Sequence, residues 1–193
     1  MILSNVSIQK ALDQHWLVID PPPEPRELSG ATDCPYNTSS VDLRLGREIV
    51  RLDANLPIVI DLRRNGFAAL AEASSTPFLL SDEQPFRLAP ATFVLARTLE
   101  TVSLPIPRDG APCFAARIEG RSSFARCGLL VHFTAPTVHA GFEGPLVLEM
   151  CNLGPYPILL YEKMRICQLI IEQVEGIPFR NESQFHQQHG PRG

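Results

Sequence analysis

No apolar run in this 193-residue chain approaches the roughly 18 residues that a membrane-spanning helix requires, so no membrane partner is expected. The N-terminus, Met1 to Val6, has neither a basic leader segment nor a long apolar one, which argues against a secretory signal and for a cytoplasmic location. Cys-x-x-Cys is missing. The five cysteines, Cys34, Cys113, Cys127, Cys151 and Cys167, are odd in number and widely spaced, which speaks against a disulfide framework or a structural zinc site. They are expected as small buried hydrophobes. A basic excess is also missing: the formal charge of −4 disfavours a general nucleic-acid binder. It leaves room for a few arginines gathered around a small polyanion. Internal repeats and long helical patterns are absent too.

Proline, by contrast, is plentiful. Eighteen prolines, against about ten at ~5% usage, imply many short elements with stiff connections. The length accommodates one large domain or two small ones with a real core, and 45% hydrophobic residues suits a globular chain. Residues 4–15 read as a short helix capped by Ser4 or Asn5, with Ile8, Ala11 and Leu12 as its apolar stripe. The proline run after Asp20 ends regular structure. Ser40 to Gly46 alternates, with Val41, Leu43 and Leu45 on one face and Asp42 and Arg44 on the other, as a half-buried strand does. Further strands are expected at 49–52, 58–62, 92–99, 114–118, 129–133, 146–151, 158–161 and 166–174. Residues 63–83 read as a loop with one helical turn around Phe67 to Ala73. Short, evenly spaced strands without intervening long helices predict an all-β barrel or sandwich. The polar tail from Ile177 to Gly193 reads as a disordered end.

Two polar clusters interrupt these apolar strands. In the first, Arg121, Ser122, Ser123 and Arg126 place two guanidinium groups and two hydroxyls on one turn. Such a turn can be an anion nest, since backbone amides, hydroxyls and forked guanidiniums all suit phosphate oxygens. It can equally be a capped helical turn with solvated arginines. The second is Glu149, a lone carboxylate between Leu146 and Cys151. It shares a strand face with Val147 and Cys151, opposite Leu146, Leu148 and Met150. It either faces solvent or an arginine, or it is a buried carboxylate that exchanges protons. Together the clusters are what a nucleotide-processing site needs. His132 and His139 do not complete a zinc site, because the His-x-Glu and Pro-Cys-x-x-Cys pattern of zinc deaminases is absent. His132 is expected as a hydrogen-bonded strand residue and His139 as a loop residue.

Glu119 to Ala135 (EGRSSFARCGLLVHFTA), with Gly141 to Glu149 (GFEGPLVLE), resembles the dCTP deaminases, which share the fold superfamily of the trimeric dUTPases. Gly30 to Thr32, Ser40 to Gly46, Thr98 to Pro105, Met164 to Leu169 and the glutamine-rich tail fall in the family's order, so the resemblance spans nearly the whole chain. It implies a distorted β-barrel (the dUTPase-like β-clip) with a short N-terminal helix and few other small ones. Residues 1–176 would form a single domain, and 177–193 a tail that closes over the nucleotide. It also implies a homotrimer with active sites between subunits, and zinc-independent hydrolysis of dCTP to dUTP and ammonia, supplying dUTP and dTTP synthesis.

In that resemblance Glu149 is the proton shuttle, and Arg121, Ser122, Ser123, Phe124, Ala125 and Arg126 form the nucleotide-gripping motif. Ser122 and the Ala135 carbonyl hold the attacking water, and Arg126 grips phosphate or tunes Glu149. Val147 and Leu148 stand beside the base. His139 and Gln168 join the substrate contacts, and Gln188 helps close over the triphosphate. Magnesium accompanies the triphosphate, and dTTP is a candidate feedback inhibitor. Three positions depart from the family pattern. His139 stands where an aspartate usually precedes the Gly-Phe/Tyr-x-Gly turn, Phe179 stands at a tail tyrosine, and Gln184 at a tail lysine. Because that aspartate activates water for attack on phosphorus in related hydrolases, His139 predicts that dUTP accumulates. The alternatives are a bifunctional enzyme forming dUMP and a non-catalytic nucleotide-binding relative.

Overall fold

The start of the chain is set locally. Ser4 Oγ accepts a hydrogen bond from the Ser7 amide at 3.2 Å, satisfying one of the donors that a helix N-terminus leaves open. Helix α1 (Asn5–Asp13) comes next and buries Ile8, Ala11 and Leu12, the stripe its spacing predicts. His15, at φ 54°, then turns the chain towards the first strand.

The computed structural model describes residues 1–27, 33–52, 57–61, 63, 71, 74–107 and 110–179. In chain order its strands are β1 (Val18–Asp20), β2 (Tyr36–Asn37), β3 (Ser40–Leu52), β4 (Ser75–Leu79), β5 (Phe86–Leu88), β6 (Phe93–Ser103) and β7 (Cys113–Gly120). The four-residue helix α2 (Ser122–Ala125) comes next, then β8 (Leu129–Val131), β9 (Thr137–Val138), β10 (Glu143–Asn152), β11 (Ile158–Leu160) and β12 (Arg165–Val174). The architecture is all-β, of the distorted-barrel type expected. Its main sheet runs β8-β10-β6-β3-β12-β7-β9, with β1 added to β6 and β2 and β4 added to β3, while β5 and β11 pair separately. Every pairing is antiparallel. Strand β3 therefore joins the β8-β10-β6 side to the β12-β7-β9 side.

The expected strands at 40–46 and 49–52 are one strand. Gly46 is the reason: a Cβ there would lie 3.0 Å from the Arg97 carbonyl oxygen and 3.1 Å from that of Thr98. Without one, β6 approaches closely and β3 runs on. The half-buried reading of β3 also needs correction. Asp42, on the face expected to meet solvent, is only 3% exposed, because side chains from β2 and β12 cover it. The expected strand at 58–62 does not form over its described part. Val59 is 94% exposed, and among the described residues no strand pairs with 57–61, so an apolar run there has no ladder to join. Leu62, the helical turn around Phe67 to Ala73 apart from Ala71, Gly30 to Thr32, Gln184 and Gln188 lie outside the described residues.

A bulge in β6 shapes the strand that carries Glu149. Pro145 pairs with Thr101, but Val147 pairs with Arg97, so β6 has extra residues between them. The Thr98 hydroxyl bridges the gap by donating to the Glu100 carbonyl at 2.7 Å and accepting from the Leu146 amide at 2.9 Å. The carboxylate of Glu100, 1% exposed, accepts from the Arg44 amide at 2.8 Å and from Arg44 Nε at 2.6 Å. Beyond the bulge, Leu148 and Met150 point into the core and are fully buried, each contributing about 1.5–3 kcal/mol by leaving water. Val147, Glu149 and Cys151 take the opposite, half-buried face, as the alternation predicts.

Candidate active site

Glu149 is placed by β10 and met by the end of β8. The β8–β10 ladder runs from Leu129 opposite Asn152 to Val131 opposite Met150, and the His132 amide then donates to the Glu149 carbonyl at 2.7 Å. At His132 the backbone enters the left-handed region, φ 53°, which ends β8 and swings the imidazole back over β10. His132 Nδ1 stands 2.6 Å from Glu149 Oε2. Both atoms are shut off from solvent, and neither has a hydrogen-bond partner among the described residues, so the pair is a close charge contact rather than a well-aligned hydrogen bond. On the far side of the ring, Nε2 lies 2.7 Å from the Ala135 carbonyl oxygen.

A carbonyl oxygen only accepts and a carboxylate accepts best, so this arrangement suits an imidazole with a proton on each nitrogen. Burial alone would lower the His132 pKa. The Glu149 contact and charge, with the Ala135 and Val147 carbonyls, outweigh it and raise the pKa above its ordinary value. His132 thus occupies the carboxylate that the resemblance makes the proton shuttle, Glu149, and one of the two groups it assigns to holding the water, the Ala135 carbonyl. It is hydrogen-bonded, as expected, but at the strand's end rather than within it.

The hydroxyl turn is α2. Arg121 is its N-cap, in extended backbone and without a side-chain cap bond. Ser122, Ser123, Ala125 and Arg126 are exposed. Close backbone packing fixes the segment after α2. Gly128, at φ 90°, packs directly on Gly154, and a Cβ on Gly128 would fall 2.2 Å from the Gly154 nitrogen. Leu153 donates its amide to the Gly128 carbonyl at 2.8 Å. Asn152 Oδ1 accepts from the Gly154 amide at 2.9 Å, and its Nδ2 donates to the Leu88 and Tyr156 carbonyls. The turn is thereby pinned to the end of the strand that carries Glu149.

Arg121 is not a free surface guanidinium. Its side chain is 28% exposed. Nη1 donates to the Arg165 carbonyl at 3.3 Å, Nη2 lies 3.6 Å from Asp42 Oδ2, and the Phe124 ring sits 5.4 Å below. Gln168 joins the same group, donating to Asp42 Oδ1 at 3.2 Å. His139 is exposed and opens a turn closed by its carbonyl and the Phe142 amide at 3.2 Å.

The structure therefore brings the expected residues into two groups. Glu149, His132, Ala135 and Val147 form one, and Arg121 and Gln168 gather on Asp42 in the other. Ser122, Ser123 and Arg126 lie on the turn between them. None of these residues lines the open cleft between α1, β1 and the start of β10, where Leu12, Ile19, Arg26 and Glu143 meet. Asp42 escaped sequence reasoning because alternation put it on the polar face. Among the described residues, no three His, Cys, Asp or Glu side chains come together in a way that would hold a metal ion. No helix is long and apolar enough to cross a membrane among those residues either.

The chain is thus an antiparallel barrel that bears a guanidinium-flanked hydroxyl turn and, on β10, a carboxylate in contact with an imidazole. The DCD family model, dCTP deaminase-like, matches residues 2–174. The chain belongs to that family. Among curated relatives it is 36% identical over 196 residues to "dCTP deaminase, dUMP-forming" of Dictyoglomus turgidum, covering 99% of this chain and 92% of the relative. It is 37% identical over 180 residues to the protein of the same name from Aquifex aeolicus, covering 93% and 86%. With "dCTP deaminase" of Glaesserella parasuis it shares 35% over 179 residues, covering 91% and 85%. Among solved structures, the 2'-deoxycytidine 5'-triphosphate deaminase of Agrobacterium tumefaciens has the same fold, with a TM-score of 0.62 at 20% identity. That match takes in 90% of this chain and 48% of the Agrobacterium chain.

Proposed function

We propose that this protein hydrolyses dCTP to dUMP, releasing ammonia and pyrophosphate, in pyrimidine deoxynucleotide metabolism. The observation that carries the deaminase half is Glu149, half-buried and already in contact with a second proton-exchanging group, His132. In deamination, water adds to C4 of the cytosine. Glu149 takes the water's proton and delivers protons to N3 and to the departing amine, so that dCTP and water give dUTP and ammonia. One carboxylate serves both directions when it exchanges protons readily near working pH. Ser122 and the Ala135 carbonyl position that water, and Arg121, Ser123 and Arg126 hold the phosphates. A second water attacks the α-phosphorus of dUTP and gives dUMP and pyrophosphate.

The expectation that dUTP accumulates rested on His139 replacing an aspartate. Relatives named dUMP-forming at 34–37% identity favour the two-step reading instead. The His139 side chain is exposed in its turn and has no hydrogen-bond or ion-pair partner among the described residues, which suits it to serve as the second base. Magnesium enters as part of the triphosphate substrate, and deamination proceeds without zinc. The site is completed between subunits of a homotrimer, and the tail with Gln188 closes over it. Because His132 covers Glu149 and the Ala135 carbonyl, it must swing away for turnover. Feedback by dTTP would arise if dTTP bound the covered arrangement better than the open one.

Purified protein given dCTP tests this directly. Ammonia and pyrophosphate should appear in equal amounts, with dUMP as product. Ammonia without pyrophosphate would return the protein to the dUTP-forming reading, and neither product would end the enzymatic one. Light scattering should give three times the monomer mass, and extensive zinc chelation should leave turnover intact.

A further inference from the structure

We propose that Asp42 is the positioning residue of the phosphate-gripping turn, holding the Arg121 guanidinium in place before the triphosphate arrives; this rests on the nucleotide reading above. Asp42 is 3% exposed, and its two oxygens have separate tasks. Oδ1 accepts from Asn37 Nδ2 at 2.9 Å and from Gln168 Nε2 at 3.2 Å, which stops the carboxylate from rotating. Oδ2 is left to face two guanidiniums, Arg121 Nη2 at 3.6 Å and Arg165 Nη1 at 4.0 Å.

Arg165 is itself tied down by Asp33, through a 2.8 Å ion pair and a hydrogen bond to the Asp33 carbonyl at 2.5 Å. Its own carbonyl takes Arg121 Nη1. Arg121 is thus held by a charge, a carbonyl and the Phe124 ring. Nε remains without a partner among the described residues, and the 28% of the side chain still exposed leaves an edge open to an incoming anion. At 3.6 Å the Asp42 contact orients by charge rather than by a full hydrogen bond. A pre-set guanidinium loses less rotamer freedom when phosphate binds. A carboxylate buried only for stability has no such need, since apolar residues of similar volume serve a core as well or better.

The test is a double-mutant cycle on the full chain with dCTP, reading KM and kcat by ammonia release and Kd by calorimetry. Asp42→Asn should raise KM and Kd about tenfold, the loss expected for one charge-assisted contact, with a smaller change in kcat. Arg121→Gln should do the same or more. Adding Asp42→Asn to Arg121→Gln should change nothing further, because a residue acting through another has no effect once that other is gone. Unchanged KM and Kd in Asp42→Asn, or effects that multiply in the double variant, would overturn the proposal. If Asp42→Asn does not fold, Asn37→Ala at the exposed end of the same network should raise Kd about twofold in the wild-type background and not in Arg121→Gln; no rise would overturn it equally. A wild type that binds dCTP without releasing ammonia refutes the catalytic reading while Kd still decides the role of Asp42.

Discussion

Glu149 and His132 make one unit at the scale of single residues, and each half has a measurable signature. Glu149→Gln keeps the shape of the side chain but cannot accept and return a proton. Ammonia release should fall at least ~100-fold while calorimetric dCTP binding persists; turnover above about a hundredth of wild type would remove Glu149 from the shuttle. His132 has a pH signature. Its pKa is raised in the folded chain, so the contact's contribution to stability is complete below the unfolded value of about 6.5. That contribution is lost as pH rises through the folded value. Denaturant unfolding should show wild type losing stability as pH rises above about 6.5, and His132→Gln should lose less; parallel profiles would refute the contact. The side Glu149 takes was legible in the alternation from Leu146 to Cys151. What His132 touches was not, because the positive φ that aims the ring leaves no trace in residue spacing.

Elements were legible where one face is apolar and the other truly wet. Helix α1 was readable for that reason, its cap and its stripe both being local. Strand β3 misled twice, since Gly46 looks like a break and serves as a close approach, and Asp42 looks like a solvent residue and is covered by strands distant in sequence. The Thr98 bulge was invisible, as its hydroxyl replaces a backbone partner that sequence alone does not show to be missing. At this scale Gly128 makes the sharpest prediction. Gly128→Ala forces a Cβ both into a positive-φ backbone and onto the Gly154 nitrogen. We expect a loss of at least ~2 kcal/mol in thermal or denaturant unfolding, with dCTP turnover falling alongside as α2 shifts. Wild-type stability in this variant would mean that the two glycines are not in contact.

Across the whole molecule, the barrel class could be read from short strands and plentiful proline, whereas the strand order could not, because ladder partners are set by tertiary pairing. That order has a consequence best put in the language of networks. If each strand is a node and each ladder a link, β3 is the node whose deletion divides the main sheet, leaving β8, β10, β6 and β1 on one side and β12, β7 and β9 on the other. The Glu149 group belongs to the first part, and Arg121 and Gln168 to the second. Neither part then has a route to independent opening that leaves β3 intact on both edges. Native-state amide exchange should accordingly find the Leu95 and Leu169 amides, on opposite sides of β3, becoming labelled in the same cooperative event, with the same denaturant dependence. Two events with different slopes would show that the sheet comes apart along β3 before it unfolds.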